Sequence, residues 1–369
     1  MKFLLLVFIL LIGCKSPSEP IGVKVIDEWH YETVGVCRGI DVSDSVLVAA
    51  ASANGYFRFD INFDINNTEN MPMLELVHHN PDINNTTGDD FAYDAIISTS
   101  GVVDMAFVLD DVDGIIVDRF DNDEWGAIGT CESGSIYRSM AINEDNPDEA
   151  ILFTLQKYFA LEDSVGDVWD INSTVISFRS FIGTEFYGDL YLEELDCDSE
   201  INLNIAAMKI FYADNLLTVT NGDLGVQIYS FNSAASFEDI ALNSLNSFYI
   251  QGGEAESLYS IGNYVIGGFN NDRGCYMALL DSEGDIIGNL TFADGYSINA
   301  IDYDRNSGTL ALAAGNDGII IYEWNESLSL ALKGILNTGS DNYIYDLKVL
   351  GNNIFVASEN GISIYKIGI

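Results

Sequence analysis

Positive charge is what this 369-residue sequence has least of. Fifteen Lys and Arg stand against 57 Asp and Glu, for a formal net charge of −42. Nucleic acid is thereby excluded as a partner, because phosphate binding needs clustered cations. An anionic membrane surface is disfavoured for the same reason. The excess acid is read first as solubility in salty water, where screening limits self-repulsion. Calcium binding is the sharper alternative, and no other cofactor is expected. Proline is scarce, with five residues, while 48% of the chain is hydrophobic and 12% aromatic. That balance excludes a disordered chain and supports a large core.

Motifs of common enzymes are absent too. There is no P-loop, dinucleotide fingerprint or H-E-x-x-H, and no G-x-S-x-G with a plausible strand-to-helix turn. Nucleotide enzymes, zinc peptidases and serine hydrolases are therefore disfavoured. Only three histidines occur, His30, His78 and His79. His30 is expected in a strand, and the His78-His79 pair at a strand end before a turn, with packing rather than catalysis as the default role.

No apolar run is long enough to cross a bilayer, which takes about 20 residues. The longest signal is N-terminal, where Lys2 precedes about ten apolar residues as in a signal peptide. It ends Leu11-Ile12-Gly13-Cys14, which resembles the bacterial lipobox. The resemblance implies cleavage before Cys14 and a lipid on its thiol, so that residues 1–13 are a signal peptide. Two or more acyl chains would anchor the chain stably. Lys15 to Pro20 then reads as a short polar tether, with 14–21 forming the lipid-anchored segment. In lipoproteins of Gram-negative type an Asp after the cysteine commonly retains the protein at the inner membrane. Lys15 stands there instead, which points to the outer membrane, on its periplasmic or surface face.

The other cysteines are Cys37, Cys131, Cys197 and Cys275, without a CxxC or zinc spacing. An oxidising compartment permits two disulfides in three pairings. Cys131 and Cys197 form the pair to test first, since each precedes an inner strand of adjacent repeats. Unpaired buried thiols are the equal alternative.

Residues 22–369 read as a single repeat domain. Asn353 to Tyr365, Thr309 to Tyr322, Leu217 to Tyr229 and Val46 to Asp60 each give an apolar strand, a few small polar residues, a glycine and a second strand. This is a β-hairpin whose glycine supplies the positive φ of a tight turn. The turn glycines are Gly55, Gly114, Gly166, Gly225, Gly274, Gly318 and Gly361, separated by 43 to 59 residues on subtraction of positions. Another strand precedes each hairpin and a fourth follows it. The expectation is an all-β propeller of seven four-stranded blades, with six or eight left open by the weak third copy around Gly166. The last copy stops after its third strand at Ile369. The N-terminal segment from Gly22 to Tyr31 has strand character and no blade of its own, and is expected to complete the final blade.

The hairpins resemble the LVIVD repeat of bacterial and archaeal surface proteins. Gly114-Ile115-Ile116-Val117-Asp118 comes nearest, while Gly225 to Tyr229, Gly318 to Tyr322 and Gly361 to Tyr365 end in Tyr instead of Asp. The resemblance spans roughly residues 36–367 and implies a cell-surface propeller. It carries over no catalytic residue.

Two candidate sites remain. Asp41, Asp94, Glu256 and Asp346 fall on inner strands near one end of the expected channel. Paired carboxylates can cleave glycosidic bonds, but bonding to the backbone at blade tops is the preferred reading. Asp121 to Glu132 matches several positions of a calcium loop, yet Trp125 cannot coordinate and the flanks read as strands, so chance in an acidic chain is the better account. Asp110 to Gly114 likewise reads as a hydrated turn. No catalytic residue is assigned. The sequence is read as an envelope-anchored binding or scaffold module for protein or glycan. The rival is a polysaccharide lyase or hydrolase using channel-facing acids.

Overall fold

The computed structural model describes residues 22–33, 35–62, 71–80, 92–99, 104–110, 114–120, 125–129, 135–146, 149–158, 174–182, 201–203, 207–231, 242–339 and 341–368. All regular structure among them is β-strand. The strands form seven four-stranded antiparallel sheets, six of them built from consecutive strands. These are the blades of a propeller. The inner strands of blades 1 to 7 are Gly39–Val42, Ala92–Ser98, Ser135–Asn146, Ile210–Ala213, Ala255–Ile261, Ala300–Asp304 and Ile344–Leu350.

The middle strands explain why these blades read as apolar runs and not as alternating patterns. Every residue of Val46–Ala50 is buried. Val46, Val48 and Ala50 join a cluster with Ala95 and Val108 of blade 2. Leu47 and Ala49 point the other way, to Phe355 and Ile364 of blade 7. A strand between two neighbouring blades buries both faces, so its period-2 alternation separates two apolar gaps and not core from water. Seven such clusters occupy the seven gaps between blades, the last uniting blades 7 and 1.

Blade 7 is the seventh sheet, and its outer strand comes from the N-terminus. Lys24–Tyr31 runs antiparallel to Gly361–Gly368, from Lys24 opposite Gly368 to Tyr31 opposite Ile362, with a bulge that skips Ile26. Trp29 and Tyr31 pack on the Phe59 ring of blade 1 at 6.2 and 5.2 Å between centroids. The ring is thus closed by chain ends that pair with each other, and the last blade lacks no edge partner.

Six of the seven expected turn glycines have positive φ: Gly55, Gly114, Gly225, Gly274, Gly318 and Gly361. Close approach matters as much as φ. A Cβ at Gly318 would lie 2.2 Å from the Leu336 carbonyl oxygen of the outer strand, and one at Gly361 would lie 2.3 Å from that of Tyr31. The turn is glycine because the fourth strand ends against it. Gly166 lies outside the described residues. In that blade Glu149–Tyr158 pairs with Thr174–Ile182, so the third strand begins later than the weak glycine signal suggests.

One ion pair locks blades 1 and 2. The Arg58 Nη1 donates to both Asp118 oxygens at 3.0 and 2.9 Å, and the Tyr56 hydroxyl donates to Oδ2 at 2.9 Å. Both charged side chains are buried, at 3% and 0% exposure. Burial, then the Asp118 charge, push the Tyr56 phenol well up. The Asp that ends the best LVIVD-like copy is thus an inter-blade strut.

Candidate functional site

Four inner strands carry a β-bulge near their start. The register skips Tyr93, Arg138, Glu256 and Tyr345. A bulged residue is freed from the ladder and its side chain is re-aimed. The matching positions in the other blades are Arg38 and Asn299, whose amides reach Ala50 and Ala313 just ahead of the paired strand, and Met208, whose amide donates to Thr220 Oγ1. Together these seven positions form a ring at one mouth of the central channel.

Four successive blades of that ring make an arc of alternating tyrosine and arginine. The Arg38 guanidinium lies 5.3 Å from the Tyr345 ring and 5.6 Å from the Tyr93 ring. Arg138 lies 6.0 Å from the other partner of that series, Tyr93. Tyr343 packs on Tyr345 at 4.8 Å between centroids. Burial raises the Tyr345 phenol, against the pull of the Arg38 charge.

Below the ring lies a cavity of about 260 Å³ lined by Asp41, Asp94, Asp346, Ser139, Lys209 and Lys348 among apolar side chains such as Ile40, Met140, Leu258 and Ile301. The acids bond blade to blade. Asp41 Oδ2 accepts the Ile97 amide at 2.8 Å, Asp94 Oδ2 that of Met140 at 3.4 Å, and Asp346 Oδ2 that of Ile40 at 3.2 Å. Asp302 repeats the pattern on Val349 at 2.6 Å. Ser139 Oγ does so on Ile210 at 3.4 Å. In each case the acceptor reaches the next blade in chain order.

Two lysines sit among these carboxylates. Lys348 Nζ is 3.2 Å from Asp41, and Lys209 Nζ is 3.7 Å from Asp94. Burial opposes both ammonium charges, yet the carboxylates outweigh it and raise both pKa values: Asp41, Asp302 and Asp346 for Lys348, and Asp94 then Asp346 for Lys209. Burial pushes Asp302 up to about 6 against the pull of Lys348. It raises Asp346 as well, against Lys209 and Lys348. The chemistry is that of struts: the carboxylates are occupied by amides and ammonium groups.

Three of the four acids singled out from sequence, Asp41, Asp94 and Asp346, converge here. Glu256 does not join them; it takes part in the mouth ring and accepts from Asn270 Nδ2 at 2.9 Å. Sequence reading missed Asp302, both lysines and the Tyr–Arg arc. Tyr93-Asp94 and Tyr345-Asp346 offered a signal, an aromatic before the channel acid, but the varying hairpin lengths hid its alignment with Arg38 and Arg138.

The histidines lie elsewhere. His30 Nδ1 is 3.0 Å from Ser363 Oγ in the closing blade. The His79 ring stacks on Phe57 at 4.1 Å, and its Nε2 donates to the Asn54 carbonyl at 3.1 Å. His78 pairs opposite Arg58 on the outer strand of blade 1. Cys37 and Cys275 are free and buried. Cys14, Cys131, Cys197 and most of the calcium-like stretch, residues 121–124 and 130–132, lie outside the described residues. Among the described residues no three or more His, Cys, Asp or Glu are grouped to hold a metal.

No protein-family model matches the chain, and no curated protein does. Solved structures do match. The WD40 repeats of RRP9 superpose with a TM-score of 0.61 at 12% identity, covering 95% of this chain and 100% of that one. U3-55K gives 0.57 at 12% identity, covering 94% and 99%. A chain from a mitotic checkpoint complex crystal structure gives 0.62 at 9% identity, covering 95% and 97%. At such identities the likeness is one of fold: a propeller.

Proposed function

We propose that this protein is a lipid-anchored propeller of the cell envelope, related to the LVIVD-repeat surface proteins, that binds a partner protein at the channel mouth. The observation that carries the binding reading is the bonding of the channel acids. Asp41, Asp94, Asp302 and Asp346 each hold an amide of the next blade, the role of a frame and not of an acid–base pair. A closed scaffold with rigid strands leaves its mouth and loops for recognition. The similar fold found in a checkpoint complex agrees with a protein partner. Cys14, eight residues before Gly22, would hold the ring to the outer membrane close to its closing blade.

The test has two arms. Labelled palmitate should enter the chain, and Cys14→Ser should abolish labelling and release the protein from membranes. Full-length protein should turn over nothing in a broad polysaccharide panel. Turnover that disappears in Asp41→Asn or Asp346→Asn would replace the scaffold reading with the hydrolase or lyase.

A further inference from the structure

Resting on that reading, we propose that the Tyr345–Arg38–Tyr93–Arg138 arc is a receptor for the free C-terminal carboxylate of an extended peptide, whose last, apolar side chain enters the cavity below. The first argument is the company these arginines keep. Arg58, Arg305, Lys209, Lys333 and Lys348 all have carboxylate partners. Among the described residues neither Arg38 nor Arg138 has one, in a chain with 57 acids; Lys24 and Arg273 lack one too, but they stand on the exposed surface away from the channel strands. Tyrosine faces hold them instead, and a cation–π contact orients a guanidinium without neutralising it. Arg138 Nε is buried with no hydrogen-bond partner, so part of its donor fork is unspent.

The second argument is strain. Ser52 has φ of +47°, whereas the equivalent turn positions in blades 4 and 6 are Gly222 and Gly315 at +56° and +55°. All three bridge to the inner strand of the following blade. A glycine would relieve the strain. It would also lack the hydroxyl, which accepts from Arg38 Nε at 3.1 Å. Backbone strain is kept where it fixes the direction of this guanidinium, leaving its Nη groups for a ligand.

A guanidinium fork matches a planar carboxylate in bidentate fashion. The channel lysines are not available to add to it, since Asp41 and Asp94 already occupy them. The site therefore suits one anionic group and not a polyanion, which the net charge of −42 would repel. A pyranose ring would need an aromatic face to stack on, and Arg38 already lies over Tyr345 and Tyr93. The cavity of about 260 Å³ has mixed walls: its carboxylates and ammonium groups are engaged with one another and with backbone amides, and Met140, Leu258, Ile301 and Leu347 between them are the walls left for the last side chain of a peptide.

The experiment titrates full-length protein into fluorescein-labelled pentapeptide pools, random at four positions and ending in Val, Leu, Ile or Phe. One pool has a free C-terminus and one is amidated. A galacturonate trisaccharide is the third probe. The free-acid pool should bind, and the amide should bind roughly tenfold more weakly or worse. Arg38→Gln and Arg138→Gln should each weaken acid binding by a similar factor, Arg38→Lys should not restore it, and Lys333→Gln should leave it unchanged. The acid-to-amide ratio on the wild-type protein needs no variant, so a misfolded variant leaves the test intact. Equal binding of acid and amide, or no binding of the acid, overturns the proposal. Arginine-dependent binding of the uronate alone overturns it in favour of a sugar. A photo-crosslinker at Met208 separates the two readings: a protein trapped in cells while the acid pool fails to bind leaves the scaffold standing and removes the carboxylate.

Discussion

The Asp346 carboxylate accepts the Ile40 amide at 3.2 Å, across 306 positions of sequence. Its other oxygen accepts the amide of Leu347 at 2.9 Å. The contact spans the seam between the last blade and the first on the channel side, at the opposite edge of the blade from the N-terminal strand. One side chain therefore reports whether the ring is closed.

Asp346→Ala leaves the buried Ile40 amide without an acceptor, which costs about 1–3 kcal/mol. Asp346→Asn keeps an acceptor and should cost less. Urea unfolding midpoints at unchanged slope would show this order, and the reverse order would remove the strut assignment.

Asp302 gives a pH dependence of definite sign. Its pKa is raised from 3.8 to about 6, first by burial, with Asp41 and Asp346 adding to it and Lys348 opposing. The folded state binds this proton more tightly than the unfolded state. Its stabilising share is whole below the unfolded value near 3.8 and is lost as the pH rises through about 6. Asp302→Asn, which can still accept from Val349, should gain on the wild type progressively across that window, by about 3 kcal/mol at its upper end. A constant difference between the two stability–pH curves would refute it.

The Arg58–Asp118 pair should behave as a buried pair does. Asp118→Ala strands a buried guanidinium and should cost about 3–5 kcal/mol. Arg58→Met combined with Asp118→Leu should cost less than Asp118→Ala alone. A double-mutant cycle measured by chemical unfolding decides the matter.

Ser52→Gly should raise the melting temperature, because relief of a left-handed serine is worth about 1–2 kcal/mol. It should at the same time weaken binding of the free-acid peptide pool. A variant that gains stability with binding intact would separate the strain from the site.

Cys37 and Cys275 are both fully buried, and burial raises both thiols above their ordinary range. Neither should react with a thiol reagent in the native protein, and both should react after unfolding. Mass-spectrometric mapping of the two peptides checks this.

The repeat was legible in sequence because its cause is local. A glycine such as Gly318 or Gly361 is demanded by positive φ and by the neighbouring outer strand, and it leaves a mark in six of the seven blades. The missing fourth strand after Gly361 and the spare strand before Tyr31 likewise predicted their own pairing, since an unpaired edge is costly. Asp41, Asp94 and Asp346 could be placed on inner strands for the same reason, by counting from the hairpins.

What only the tertiary structure decided is which side chains meet around the axis. Arg38, Tyr93, Arg138 and Tyr345 come from four blades and more than three hundred positions. They share a ring because bulges and short leading segments bring them to one level, and a bulge shifts register by one residue without any compositional signature. The same holds for Lys348 beside Asp41. Periodicity in this chain reports each strand's own two faces; closure of the ring sets the partner across the channel.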